Sequence, residues 1–245
     1  MCHSDDSRPP APPRIGDVSK TAALQLTAAD GNVFAAYRAS PGGTPSAGMI
    51  ILPDVRGLHP FYKALAERFA EAGYEAIACD YFGRTAGVGE RDESFEWKEH
   101  VAQVAPKHVR ADAGACFDAI GSNVSDVFTV GFCFGGGNSW RLASTDLPVG
   151  GSIGFYGRPA LVNDVIGDLS APLLMLVAGN DAATPLEEFE VLDKELAAAG
   201  KEHEMHVYEG APHSFFDRAF GEWRDACADA WDRILAFTDL HMSGS

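Results

Sequence analysis

At 245 residues, 46% hydrophobic and 22% charged, the chain has the make-up of a globular domain large enough to bury a substantial core. Against 19 Lys and Arg stand 35 Asp and Glu, a formal charge of −16 that excludes the basic surface nucleic acid or an anionic membrane requires. No run approaches the roughly 18 apolar residues of a membrane span.

Residues 1–16 are Pro-rich and read as an irregular segment without the apolar core of a secretory signal. Cys2 and His3 lie on it with nothing nearby to complete a metal site. The five cysteines are scattered and form no C-x-x-C pair, which suits neither a disulfide framework nor a zinc ribbon. The expectation is a cytoplasmic protein without a metal centre.

A hairpin comes first: Ala22, Leu24, Leu26 and Val33, Ala35, Tyr37 alternate about an Asp30-Gly31 turn. Residues 40–48 form a Pro/Gly loop. The apolar run 49–52 suits a parallel strand covered on both faces. Residues 60–72, opened by Pro60 and stopped by Gly73, suit a helix. Another strand spans 75–79. Residues 85–107 are charge-rich and irregular, with a short helix near Phe95-Glu96-Trp97. Val109, Ala113, Cys116 and Ile120 share one helix face. Further strands are expected at 149–155, 172–178 and 204–208, with helices at 184–199 and 222–238. Residues 241–245 read as a polar tail. Strands alternating with helices, without repeat or linker, predict one α/β domain over 17–240. Its sheet is mostly parallel, and ligands bind beyond the carboxyl ends of such strands. Asp54, Cys133, Asp181 and His213 all fall there.

The stretch Val127-Phe128-Thr129-Val130-Gly131-Phe132-Cys133-Phe134-Gly135 is the most informative. A β-branched run enters a glycine-bounded turn with a cysteine at its apex, the form of a strand-turn-helix nucleophile elbow with Cys for Ser. The spacing predicts a strained apex and crowding at Gly131 and Gly135. The helix N-terminus that follows favours a thiolate and an oxyanion. A thiol nucleophile needs a base, and the base an orienting acid. Cys133, Asp181 and His213 occur in the order of the α/β-hydrolase triad, each at a strand exit. Taken singly, Asp181 could instead cap the helix near Thr184, and His213 could be an ordinary loop histidine. The backbone N–H groups of Phe134 and, from the loop after Leu52, Val55 are the expected oxyanion hole.

At this point the sequence resembles the dienelactone hydrolase family. Leu52-Pro53-Asp54-Val55-Arg56-Gly57, Cys79-Asp80-Tyr81-Phe82-Gly83-Arg84, the elbow, Gly154-Phe155-Tyr156-Gly157, Gly179-Asn180-Asp181 and Gly210-Ala211-Pro212-His213 carry the likeness. The resemblance implies an α/β-hydrolase fold, a Cys-Asp-His triad, no cofactor and hydrolysis of a small enol-lactone. It also implies an acid that helps activate the cysteine, here Asp54, one methylene shorter than the family's glutamate. It further implies arginines for the substrate carboxylate: Arg91, with Phe95 four residues on where the family has tyrosine, and Arg218, with Arg56 as an extra candidate. Tyr156 is a further substrate-side candidate. A general carboxylesterase or thioesterase, and a non-catalytic ligand-binding relative, are the other readings. A nucleotide-binding glycine loop fails on spacing.

Overall fold

The computed structural model describes residues 7–121, 124–217 and 220–243. The strands are β1 (Val18–Thr27), β2 (Val33–Pro41), β3 (Gly48–Leu52), β4 (Glu75–Cys79), β5 (Val127–Phe132), β6 (Gly151–Phe155), β7 (Leu173–Asn180) and β8 (His203–Pro212). The helices are α1 (Pro60–Glu71), α2 (Gly83–Ala86), α3 (Lys98–Val101), α4 (Pro106–Ile120), α5 (Phe134–Leu142), α6 (Leu186–Ala198) and α7 (Arg224–His241). The strands form one sheet in the order β1-β2-β4-β3-β5-β6-β7-β8. β1 and β2 make the expected antiparallel hairpin, β2 is antiparallel to β4, and every pairing beyond is parallel.

Strand periodicity distributes the core to both faces. Met49 and Ile51 of β3, Phe128, Val130 and Phe132 of β5, and Leu174 and Leu176 of β7 pack under α1 and α7. Ile50 and Leu52 turn to the opposite face and meet Val109, Ala113, Cys116 and Ile120 of α4. Met175 and Val177 do the same against Trp140 of α5 and Phe189 and Leu192 of α6. Thr129 is the polar exception on β5; its hydroxyl is satisfied by Ser139 at 2.7 Å and Ser152 at 3.0 Å.

Three parts of the structure differ from the pattern of the sequence. The short helix expected near Phe95 forms one turn later, at Lys98–Val101. His241, expected in a polar tail, is the last residue of α7, its ring 4.7 Å from that of Phe237. β8 runs on through Glu209-Gly210-Ala211-Pro212, past the predicted end at Tyr208. Gly210 takes φ +75° there, and the β7–β8 register shifts between Ala178 and Asn180. A bulge at a glycine lets a strand continue through residues that otherwise signal a loop.

Helix α5 lies close on the sheet because its first turn is glycine. A Cβ at Gly135 would run into the main-chain carbonyls of Leu52 and Pro53, and one at Gly131 into the carbonyl of Gly135. Neither obstacle is a side chain that can swing away. Gly135→Ala is therefore expected to cost about 3 kcal/mol or more. Thermal unfolding of the variant checks this; an unchanged Tm would show that α5 can back away from β3.

Candidate active site

Cys133 sits between β5 and α5 at φ 54°, ψ −114°. That backbone is strained for any residue with a Cβ. It is held by its neighbours: the Cys133 N–H donates to Phe155 O at 3.0 Å, and its carbonyl accepts from Gly136 N at 3.0 Å. The side chain is partly exposed at the start of α5.

Asp181 and His213 are brought together by strand register. Asn180 of β7 pairs with Pro212 of β8, so the next residue on each strand becomes the other's neighbour. His213 Nδ1 lies 2.7 Å from Asp181 Oδ2, with the Asp181 side chain fully buried and that of His213 20% exposed. Asp181 Oδ1 meanwhile accepts from Ala183 N at 2.7 Å and Thr184 N at 3.4 Å. The two readings of Asp181 are thus compatible. One oxygen organises the turn before α6 and the other orients the histidine.

His213 is also hydrogen-bonded to Cys133. Burial works against a charge on its ring. The hydrogen bonds to Asp181 and Cys133, with the charges of both, outweigh it and push the imidazole up to about 10. His213 is thereby favoured as an imidazolium bridging an acid and a thiol.

The loop after β3 comes up against the elbow. Tyr81, at the exit of β4, donates its hydroxyl to the carbonyls of Pro53 and Asp54, and its ring meets that of Phe134 at 5.6 Å. Burial first, then the Asp54 charge, holds its phenol well above the usual tyrosine range, so it remains a hydrogen-bond donor. Among the described residues the N–H groups of Val55 and Phe134 make no hydrogen bond within the chain. They lie on the two segments that Tyr81 ties together.

The comparison with known sequences decides the class: residues 34–241 match the model of the dienelactone hydrolase family. The chain belongs to that family. It is an α/β-hydrolase and a carboxylic ester hydrolase. A Methylorubrum extorquens protein provisionally named a carboxymethylenebutenolidase is 29% identical over 218 residues, covering 82% of this chain and 75% of that one. The crystal structure of a protein provisionally named a dienelactone hydrolase, from Klebsiella pneumoniae, superposes with TM-score 0.75 at 27% identity, covering 89% of this chain and 98% of that one. A dienelactone hydrolase-like promiscuous phosphotriesterase, P91, from metagenomic libraries shares the fold at TM-score 0.76 and 22% identity, covering 91% of this chain and 99% of that one.

Of the residues that the family resemblance assigns to the substrate, Arg56 and Arg91 lie in buried ion pairs. Arg56 is buried, with a side chain 2% exposed, and its guanidinium pairs with Asp54 at 3.3 Å. Asp54 Oδ1 also accepts the Arg56 N–H at 2.9 Å, so both oxygens of this acid hold its own loop. Arg91 is likewise buried: it pairs with Asp80 at 3.0 Å, donates to Gly87 O at 2.6 Å and lies over the Phe95 ring at 4.7 Å. Phe95 in turn stacks on His100. Burial, opposed by Arg91, raises the Asp80 carboxyl to about 6. Tyr156 is 1% exposed at φ 36°; its ring lies against His213 at 4.8 Å and its hydroxyl donates to Asp217 at 3.0 Å. Its ring thus packs on the histidine of the site. Arg218 lies outside the described residues.

The sequence reading missed Tyr81, Asp80 and Asp217. The first two lie in the Cys79–Arg84 stretch that carried the resemblance, but nothing in their spacing assigns them partners. Other acids and histidines lie away from the site. Asp164 pairs with Arg141, His203 with Asp193 and His206 with Asp229, on the surface or the sheet edge. Among the described residues no cluster of His, Cys, Asp or Glu could hold a metal, and no helix is long and apolar enough to cross a membrane.

Proposed function

We propose that the enzyme cleaves small esters or lactones through a covalent thioester on Cys133, with His213 as its acid–base partner and Asp181 as the orienting acid. The observation that carries this reading is the unbroken chain of hydrogen bonds from Asp181 through His213 to Cys133 at a strained elbow. Cys133 and His213 rest as a thiolate–imidazolium pair, and the thiolate attacks the acyl carbonyl. The N–H groups of Phe134 and Val55 receive the oxyanion. The imidazolium then protonates the departing alkoxide, and the C–O bond breaks to leave a Cys133 thioester. Water, deprotonated by His213, attacks the thioester; collapse releases the acid and the Cys133 thiolate, restoring the ion pair. Asp181 fixes the tautomer throughout. Tyr81 contributes by holding the Val55 loop against Phe134.

Brief reaction with 4-nitrophenyl acetate, an acid quench and mass spectrometry test it. One acetyl group on the peptide containing Cys133, released by hydroxylamine, is expected. An adduct elsewhere, or none from an enzyme that turns the ester over, would sink the covalent step.

The ion pair also makes a pH prediction. His213 titrates at about 10 in the fold against an ordinary 6.5. Its raised value contributes stability that is complete below pH 6.5 and lost as pH rises through about 10. The Tm advantage of the native protein over His213→Gln should shrink across that window. An advantage that grows with pH would contradict the pairing.

A further inference from the structure

We propose that the groove between α4 and α5 is a second ligand site, one that takes a small aromatic carboxylate. It stands independently of the reaction at Cys133, since no member of the triad lines it.

The groove has a volume of about 300 Å³, at the small end of the range in which ligand pockets fall. Helical spacing builds it. Val109 and Arg110 face it from α4, one turn beyond Pro106, and Asn138, Arg141 and Leu142 face it from α5. Val109 and Leu142 are each 2% exposed and join the same core cluster, so the floor is apolar. The charged residues of the lining are Lys107, Arg110 and Arg141 against a single acid, Asp146. In a chain where 35 Asp and Glu face 19 Lys and Arg, this cavity reverses the overall balance. An apolar floor ringed by cations is complementary to an anion with an apolar body.

These cations can be recruited cheaply. Lys107 is exposed and makes no ion pair among the described residues. Arg110 pairs with Asp146 at 2.7 Å, and that carboxylate is 82% exposed. Arg141 pairs with Asp164, 64% exposed, and donates to Leu161 O at 2.8 Å, which anchors it at the rim. A ligand carboxylate that takes over either guanidinium returns the displaced acid to water, and such exposed pairs are weak. The uncharged polar groups are already engaged. Asn138 Nδ2 donates to Phe134 O at 2.8 Å, and the hydroxyls of Ser144 and Thr145 donate to the carbonyls of Arg141 and Leu142. Recognition therefore falls to charge and to the apolar floor. A carboxylate matches the planar guanidinium fork, and an aromatic ring is the body on which guanidinium planes stack.

Titration calorimetry with benzene-1,3-dicarboxylate, and with its diamide as the uncharged control, tests the site. Saturable binding of the dicarboxylate is expected, with a Kd that rises as NaCl is added, and no binding of the diamide. Lys107→Gln and Arg110→Gln should each weaken it by about two- to fivefold, and Lys107→Glu by more, with unchanged melts. Alkylating Cys133 with iodoacetamide should leave it intact. Absence of saturable heat up to about 10 mM dicarboxylate would overturn the proposal. So would equal binding of the diamide, or a Kd indifferent to the Lys107 and Arg110 substitutions. Binding that is lost on alkylation and indifferent to those substitutions would place the dicarboxylate at the elbow and equally refute a site between α4 and α5.

Discussion

Cys133→Ala is expected to lower kcat/KM on 4-nitrophenyl acetate by at least about 10⁴-fold while leaving the fold intact. Alanine keeps the Cβ and so keeps the backbone strain at φ 54°; only the thiol is removed. The His213–Asp181 pair cannot substitute, because an imidazole acting on water lacks the covalent step. A second substitution separates strain from chemistry. Cys133→Gly loses the same activity, but glycine is at ease with positive φ, so it should be more stable than the alanine variant by about 1–3 kcal/mol. Steady-state kinetics and thermal melts of the two variants decide it. Residual activity within tenfold of native in either would show that another group performs the attack.

Asp181→Asn should be nearly as damaging, with kcat down by about 10³–10⁴-fold. The amide is close in size, and its oxygen can still accept from Ala183 and Thr184 N–H as Asp181 Oδ1 does now. The turn before α6 should survive, and the melt should move little. The position at Oδ2 then presents an NH₂ group to His213 Nδ1, now 2.7 Å away. The imidazole must turn its lone pair to that nitrogen, leaving its proton on the side of Cys133, where a base is needed. If kcat fell less than about tenfold, Asp181 would be a turn residue only and another acid would have to orient the histidine.

The elbow and the strand exits that bring Cys133, Asp181 and His213 together were legible because they are backbone requirements. Gly131 and Gly135 face main-chain carbonyls, which no other residue could do without moving a strand or a helix. The strands were legible too, since each buried run is short and bounded by glycine, proline or charge. The end of β8 was not, because Gly210 and Pro212 signal a loop, and only pairing with β7 shows that the ladder continues. Nor was the state of the arginines. Asp54 and Arg56 are near neighbours in sequence, but their burial is conferred by other elements. Arg91 meets Asp80 only after the charge-rich excursion folds back over the exit of β4. The contact of Tyr156 with His213 was not legible for a related reason: its backbone, at φ 36°, sets where the ring lies.

The Pro-rich start of the chain has a part in assembly. Pro9, Pro10 and Pro12 are buried, Gly16 N donates to Glu71 O at 2.8 Å, and Trp231 Nε1 donates to Pro10 O at 3.2 Å across 221 positions of sequence. The segment around Pro10 is thus a docking partner for α7. On a ribosome, the opening residues must wait with their apolar surface uncovered until α7 emerges. Closing so long a loop is entropically costly. Removing residues 1–14 would leave Trp231, fully buried in the native molecule, open to water along one edge. The contact between residues 9–12 and α7 makes the arrival of α7 a condition of sealing this part of the core.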